Sequence, residues 1–249
     1  MAGCMPLQPI LLAAPVHSIN EAVAVMEAID AALPDDDGVK WFNRLYLRVT
    51  VAVGRSVAEA RFHDAEFLKQ LDVEFANLYF SALAAGLGGV AAAPSAWRPL
   101  LESRATRGIA RLQFALAGMN AHINRDLPEG IIRSFAALGG DPLRADAREQ
   151  DFDSVNEILE RVEQEVKVEF ATGVVGSIDR IGGPVDDAIA MWQVRAARTT
   201  AWTNAQVLWG LRHLPRLRDR FFGRLDSLVG MAGRALLVPC ELRAAGRDV

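Results

Sequence analysis

Apolar positions recur along this chain at helical spacing almost from end to end. Ser18 followed by Glu21 reads as a capping box opening a helix to about Leu33, where Pro34–Gly38 stops it. A second helix runs from about Val39 to Val57. A third starts at the N-cap candidate Asp64, carries Leu68, Leu71, Phe75, Leu78 and Ala82 on one stripe, and ends before Gly86-Leu87-Gly88-Gly89. A fourth is predicted over about Arg104–Arg125, with a break or kink at Leu127-Pro128 and a short helix to Leu138. After the turn Gly139-Gly140-Asp141-Pro142, a charged helix covers about Asp153–Phe170. Pro184, as first helical residue, opens a helix to about Leu214, and a last helix covers about Arg216–Leu237. Val166–Val175 contains β-branched residues and could be extended near its end, but the charged helical pattern leading into it favours helix. Nowhere does period-two alternation persist between hairpin turns. The fold class predicted is all-α: a single-domain helical bundle or orthogonal array of about eight helices. Residues 1–17 read as an N-terminal extension and 243–249 as a flexible tail.

Composition supports this without altering it. The 249 residues are 51% hydrophobic and 23% charged, which excludes disorder. Lys+Arg of 27 against Asp+Glu of 31 leaves a net charge of −4, so no broad positive field is available for nucleic acid. Cys4 and Cys240 give no disulfide framework. Pro6–Val16 lacks a preceding basic residue and contains three prolines, unlike a signal peptide. Trp41–Val53 carries Arg44 and Arg48 and is too short to span a bilayer. A cytoplasmic protein without membrane or nucleic-acid partners is expected, and a homo-oligomer is left open.

The distinctive chemistry lies in Gly118-Met119-Asn120-Ala121-His122-Ile123-Asn124-Arg125-Asp126-Leu127-Pro128. Ala115 and Gly118 leave space beside His122, while Asn120, Asn124 and Asp126 gather within one and a half turns. Such groups in an apolar layer must bond each other, line a pocket or bind an ion. Three readings stay open: a structural network, a general acid/base His122 oriented by a carboxylate, and a metal site using the i,i+4 pair His122 and Asp126, with His63 as a further ligand. His63-Asp64 resembles the His-Asp dipeptide of metal-dependent phosphohydrolases, but a cap role accounts for Asp64 alone.

Two further groups of residues bear on a pocket. Trp192, Thr199, Trp202, Gln206, Trp209 and His213 share one helical face, suited either to an aromatic core or to the wall of a cavity for a flat, apolar ligand. Arg44, Arg48 and Arg55 form a stripe that either holds an anion or pairs with carboxylates such as Asp72 and Glu74; Arg98 offers the same choice. Asp72, beside the stripe of Phe75 and Tyr79, is the best internal carboxylate outside the His122 segment.

Trp41-Phe42-Asn43 with Tyr46, Phe62-His63-Asp64, Leu71–Ala76 with Tyr79, Ala96-Trp97-Arg98 and the Gly118–Pro128 block together resemble a bacterial family known as a domain of unknown function, number five-nine-nine-five. These blocks lie in about residues 40–130. The resemblance implies a shared fold and carries no activity. A fainter likeness, His122-x-x-x-Asp126 with Pro128, is to the helical zinc-dependent phospholipases C and single-strand nucleases. No His follows Pro128, and His17, His63, His122 and His213 are too few for a trinuclear zinc cluster. Phosphate loops, dinucleotide-binding glycines, serine-hydrolase elbows and zinc-spaced cysteines do not occur.

The preferred expectation is a cofactor-independent small-molecule enzyme of the cyclase, isomerase or lyase type acting on an apolar or aromatic substrate. His122 would transfer protons, Asp126 or Asp72 would orient it, and Asn120, Asn124, Tyr79, Arg48 and the Trp192–Trp209 face would bind substrate. The alternatives are a hydrolase using a divalent metal such as zinc and a non-catalytic binding protein.

Overall fold

The computed structural model describes residues 7–59, 62–172 and 194–239, with side chains of the charged helix described up to Val162. Among these residues every regular element is helical: α1 Leu7–Leu11, α2 Ile19–Ala32, α3 Gly38–Ala58, α4 Ala65–Leu87, α5 Arg98–Ser103, α6 Arg111–Ala121, α7 Leu127–Leu138, α8 Asp146–Thr172, α9 Val194–Gly210 and α10 Pro215–Leu236. A single π turn, His122–Asp126, joins α6 to α7. No helix among the described residues is long and apolar enough to cross a membrane.

The helix starts follow the sequence signals. The Ser18 hydroxyl accepts the Glu21 N–H at 3.2 Å while the Glu21 carboxylate accepts the His17 N–H at 2.8 Å. Asp37 caps α3 through Val39 N–H, and Asp64 caps α4 through Phe67 N–H. The short α1 buries Leu7 and Leu11 against α2 and α4, so part of the expected extension belongs to the core.

Three boundaries differ from expectation. Residues 104–110 are not helical, so the fourth predicted helix starts at Arg111. The charged helix begins at Asp146 and is described as far as Thr172, so residues 166–172 of the segment containing β-branched residues are helical. The expected kink at Leu127-Pro128 is replaced by the π turn. Proline has no N–H for the carbonyl four residues back and its ring crowds that carbonyl. One wide turn, in which Leu127 N–H bonds the His122 carbonyl, lets the helix absorb Pro128 and continue. Trp192, the start of the Pro184 helix, and the 243–249 tail lie outside the described residues.

α3 packs on α2 and α6, α4 on α7, α7 on α9, and α10 on α6. The α3–α6 contact is reciprocal: Gly38 of α3 lies under the Phe114 ring of α6, and Gly118 of α6 lies under the Phe42 ring of α3. A Cβ at either glycine would lie well under 3.0 Å from the facing phenylalanine and clash with it. This close approach carries His122 into the middle of the molecule. Around it stand Phe42, Tyr46, Phe75, Tyr79 and Trp97.

Candidate functional site

His122 and Asp126 are both fully buried, and the imidazole Nδ1 lies 3.0 Å from Asp126 Oδ2. The carboxylate also accepts the Trp97 indole N–H at 2.9 Å and an Arg125 guanidinium N–H at 2.6 Å. With Arg125 beside it, Asp126 is an acceptor on both oxygens. The hydrogen of the His–Asp contact therefore sits on Nδ1, and the Nε2 lone pair faces away from the carboxylate. The ring is held flat against Phe75, with centroids 3.4 Å apart and planes within 5°, and edge-on to Tyr46 at 4.4 Å. Burial lowers the His122 pKa below its ordinary value. The hydrogen bond and charge of Asp126 work against that shift, and Arg125 adds to it. The imidazole is neutral at pH 7, with Nε2 buried and unpartnered.

Nε2 does not face solid packing. A narrow void of about 40 Å³ lies between α3, α4, the π turn, α8 and α9, and His122 lines it. A single water needs only about 10–15 Å³ by the same measure, so this void accepts a small group and no more. Leu68, Leu71, Val155 and Leu159 make its apolar walls, and Asp72, Tyr46 and Arg198 are its other polar members. Asp72 is half-buried as a residue, but its Oδ2 is enclosed and without a hydrogen bond. Desolvation pushes its carboxyl from 3.8 up to about 7, against the opposing charge of Arg198. Arg198 is itself buried. It donates to Asn156 Oδ1 at 2.8 Å and to the Phe152 carbonyl at 2.6 Å, and its guanidinium lies 4.0 Å from the Phe152 ring centroid. Burial brings its pKa down to about 10, so it stays charged.

The raised carboxyl pKa makes a stability prediction. A group that binds its proton more tightly folded than unfolded contributes stability that is complete below its unfolded value of 3.8, largely present at pH 4, and lost as pH rises through about 7. Asp72→Asn is therefore expected to gain stability relative to the parent chain by about 2–4 kcal/mol at pH 8 and by little at pH 4. Urea unfolding at the two pH values reads the difference directly, and parallel losses in both proteins would refute it.

The geometry divides the residues expected to form the site. His122 and Asp72 meet at the void, and Asp126 stands behind His122 on its Nδ1 side, outside the lining. Tyr79 does not line it: its hydroxyl donates to Asn43 Oδ1 at 3.2 Å, and only its ring edge approaches His122. Asn120 donates to the Val229 carbonyl and accepts from Asn124, tying the π turn to α10 instead of facing substrate. Arg48 lies on an outer groove between α3 and α8. Trp202 and Trp209, the described indoles of the expected tryptophan face, do not line this cavity. Trp202 is core, packed on Phe67, Phe135 and Phe152, because α9 turns it toward α7 and α8. Trp209 is half-buried beside Phe135, Gln206 donates to the Pro142 carbonyl, and Thr199 is exposed and bonded within its own helix.

The arginine stripe is also redistributed. Arg44 pairs with Asp30 and Asp35, Glu74 with Arg133, and Asp72 with none of the stripe. Arg98 donates to the Ala91 and Ala93 carbonyls. His63 is exposed and bonded to Asp151, whose carboxylate also takes the His63 and Asp64 N–H groups, so it does not join His122. Among the described residues no three His, Cys, Asp or Glu side chains are grouped to hold a metal ion, and both oxygens of Asp126 are already engaged.

Four participants escaped sequence reasoning: Trp97 as donor to Asp126, Phe75 as the plate under His122, Arg198, and Tyr46. Arg198 lies one turn before Trp202 on the same helical face, which was a usable signal. The Trp97–Asp126 bond links positions 29 apart and has no local signature. No curated protein and no solved structure matches the chain. Residues 19–239 match the model described as Family of unknown function (DUF5995), well beyond the blocks between 40 and 130, and the chain belongs to that family.

Proposed function

We propose that this chain is a non-redox acid–base enzyme of the isomerase, cyclase or lyase kind, whose small, largely apolar substrate presents a carbonyl or similar oxygen to the void beside His122. One observation carries the reading: a buried acceptor, His122 Nε2, and an enclosed carboxyl oxygen, Asp72 Oδ2, belong to side chains lining the same void, and neither atom has a hydrogen-bond partner among the described residues. A histidine retained only to knit helices together would have both nitrogens engaged. In this reading Nε2 takes a proton from the carbon next to the carbonyl. The C–H electron pair passes toward the oxygen, which accepts a hydrogen bond from protonated Asp72, while Arg198 adds positive potential. The imidazolium formed is held by Asp126 and then returns the proton to carbon.

Incubation with a panel of apolar ketones and aldehydes in deuterated water tests this. Mass spectrometry is expected to show protein-dependent exchange of hydrogens next to the carbonyl, lost by more than about a hundredfold in His122→Gln. Its rate should fall at acid pH, below the ordinary imidazole range, as His122 charges, and above about pH 7 as Asp72 ionises. Exchange unaffected by His122→Gln, or none with any carbonyl compound, would remove the acid–base reading and leave the void as a binding site.

A further inference from the structure

The void beside His122 is too small for the body of any apolar substrate, and the molecule carries a larger opening nearby. A groove of about 760 Å³ runs between α2, α3 and α4. That volume is in the range of small-molecule sites. Ile19, Val23, Val51 and Val73 give it an apolar floor. Arg55 and Lys69 stand exposed on its lining, with Glu66 3.4 Å from Lys69 and His17 at one end.

A second observation marks this groove as more than a surface furrow. Of the seven buried side-chain polar atoms without a partner among the described residues, four belong to Thr50, Tyr46, Asp72 and His122. Thr50 lines the groove and is almost fully buried. Tyr46, one helical turn earlier on α3, lines the void with Asp72 and His122. Burial and the Asp72 charge push the Tyr46 phenol strongly upward and the neighbouring Thr50 hydroxyl opposes them, yet the approach of the two hydroxyls falls short of hydrogen-bond geometry and neither has another partner among the described residues. Leaving a buried hydroxyl unpaired costs about 1–3 kcal/mol. Two such hydroxyls in succession, between an open groove and an unsatisfied His–Asp pair, are accounted for together if a ligand's polar atoms reach them.

We propose that the groove between α2, α3 and α4 binds an apolar molecule carrying one carboxylate or similar anionic group, the anion against Arg55 and Lys69 and the body over Ile19, Val23, Val51 and Val73. Lys69 is shared with Glu66, so the groove presents about one uncompensated positive charge, which selects a monoanion over a di- or trianion. The Thr50–Tyr46 pair leads from this seat toward the void. That last step rests on the acid–base reading above, whereas the groove's preference for an apolar anion does not.

Octanoate and 1-octanol, matched in body and differing in charge, are the probes, titrated by calorimetry into the full chain. Methyl NMR of Val51 and Val73 locates the site. Octanoate is expected to bind more tightly than octanol and to shift both valines. Arg55→Gln with Lys69→Gln should weaken octanoate by roughly tenfold and leave octanol unchanged. Gly54→Leu, which fills the groove where α3 approaches Ile19, should exclude both probes. Should Gly54→Leu fail to fold, the charge pair of variants decides alone, since both side chains are exposed. Equal binding of the two probes, no shift at either valine, or octanoate affinity unchanged in the double variant would each overturn the proposal. His122→Gln should bind octanoate as the parent chain does. Octanoate binding without carbonyl exchange would therefore remove the enzyme and keep the groove; exchange without octanoate binding would do the reverse.

Discussion

Asp126→Ala is expected to lose about 3–5 kcal/mol of folding stability, as measured by urea unfolding at pH 7. Among the described residues the carboxylate is the acceptor for three buried or half-buried donors: Trp97 Nε1–H, an Arg125 N–H and His122 Nδ1–H. Its removal leaves an indole and an imidazole unsatisfied in a dry aromatic cluster and releases the Arg125 guanidinium, which retains only a 3.6 Å approach to Asp226. Asp126→Asn separates the charge from the acceptor. The amide oxygen still accepts from one donor, but its NH₂ faces another, so a loss of about 2 kcal/mol is expected, with the His122 hydrogen displaced from Nδ1. Imidazole nitrogen NMR reads that tautomer. An Asp126→Ala protein within about 1 kcal/mol of the parent would show that the buried network contributes little to stability.

What the sequence made legible, and what it hid, divides along a physical line. Caps at Ser18 and Asp64 were readable because they are local: a side chain bonds a backbone N–H three residues on. The stripe through Leu68, Leu71 and Phe75 was readable because burial imposes a period on one helix. His122, Asp126 and Asp72 were readable as polar residues set beside such stripes. The tryptophan face misled. Three indoles on one helix suit a pocket wall and a core equally well, and only the packing of Phe67, Phe135 and Phe152 around Trp202 decides between them. The π turn was hidden for another reason. Proline announces a disturbed helix but not whether the chain kinks or widens, and here the widened turn brings His122 and Asp126 together in the core. Asn120 and Asn124 looked like ligand-binding groups until α10 arrived to use the first of them.

The second large effect expected is at Gly118, where substitution by valine should cost at least about 3 kcal/mol, beyond the usual range for mild overpacking. Alanine would ordinarily gain about 1 kcal/mol over glycine inside a helix, so any loss in Gly118→Ala is steric. A Cβ at this position would lie well under 3.0 Å from Phe42 Cγ and Cδ2, closer than any real contact allows. Phe42 is fully buried and has no direction of retreat, being edge-on to Tyr79 at 5.0 Å, Trp97 at 5.2 Å and His122 at 5.6 Å. Any shift of the ring therefore passes into the His122 cluster, coupling backbone packing to the candidate site. A double-mutant cycle isolates this coupling. Phe42→Leu alone should destabilise by leaving a gap, yet Gly118→Ala placed on Phe42→Leu should cost much less than on the parent chain, with a coupling energy of about 1–2 kcal/mol. Strict additivity of the two substitutions would mean that α3 and α6 separate as rigid bodies and relieve the clash without moving Phe42. In that case the His122 imidazole resonances should not shift in Gly118→Ala; if Phe42 moves instead, they should shift with it.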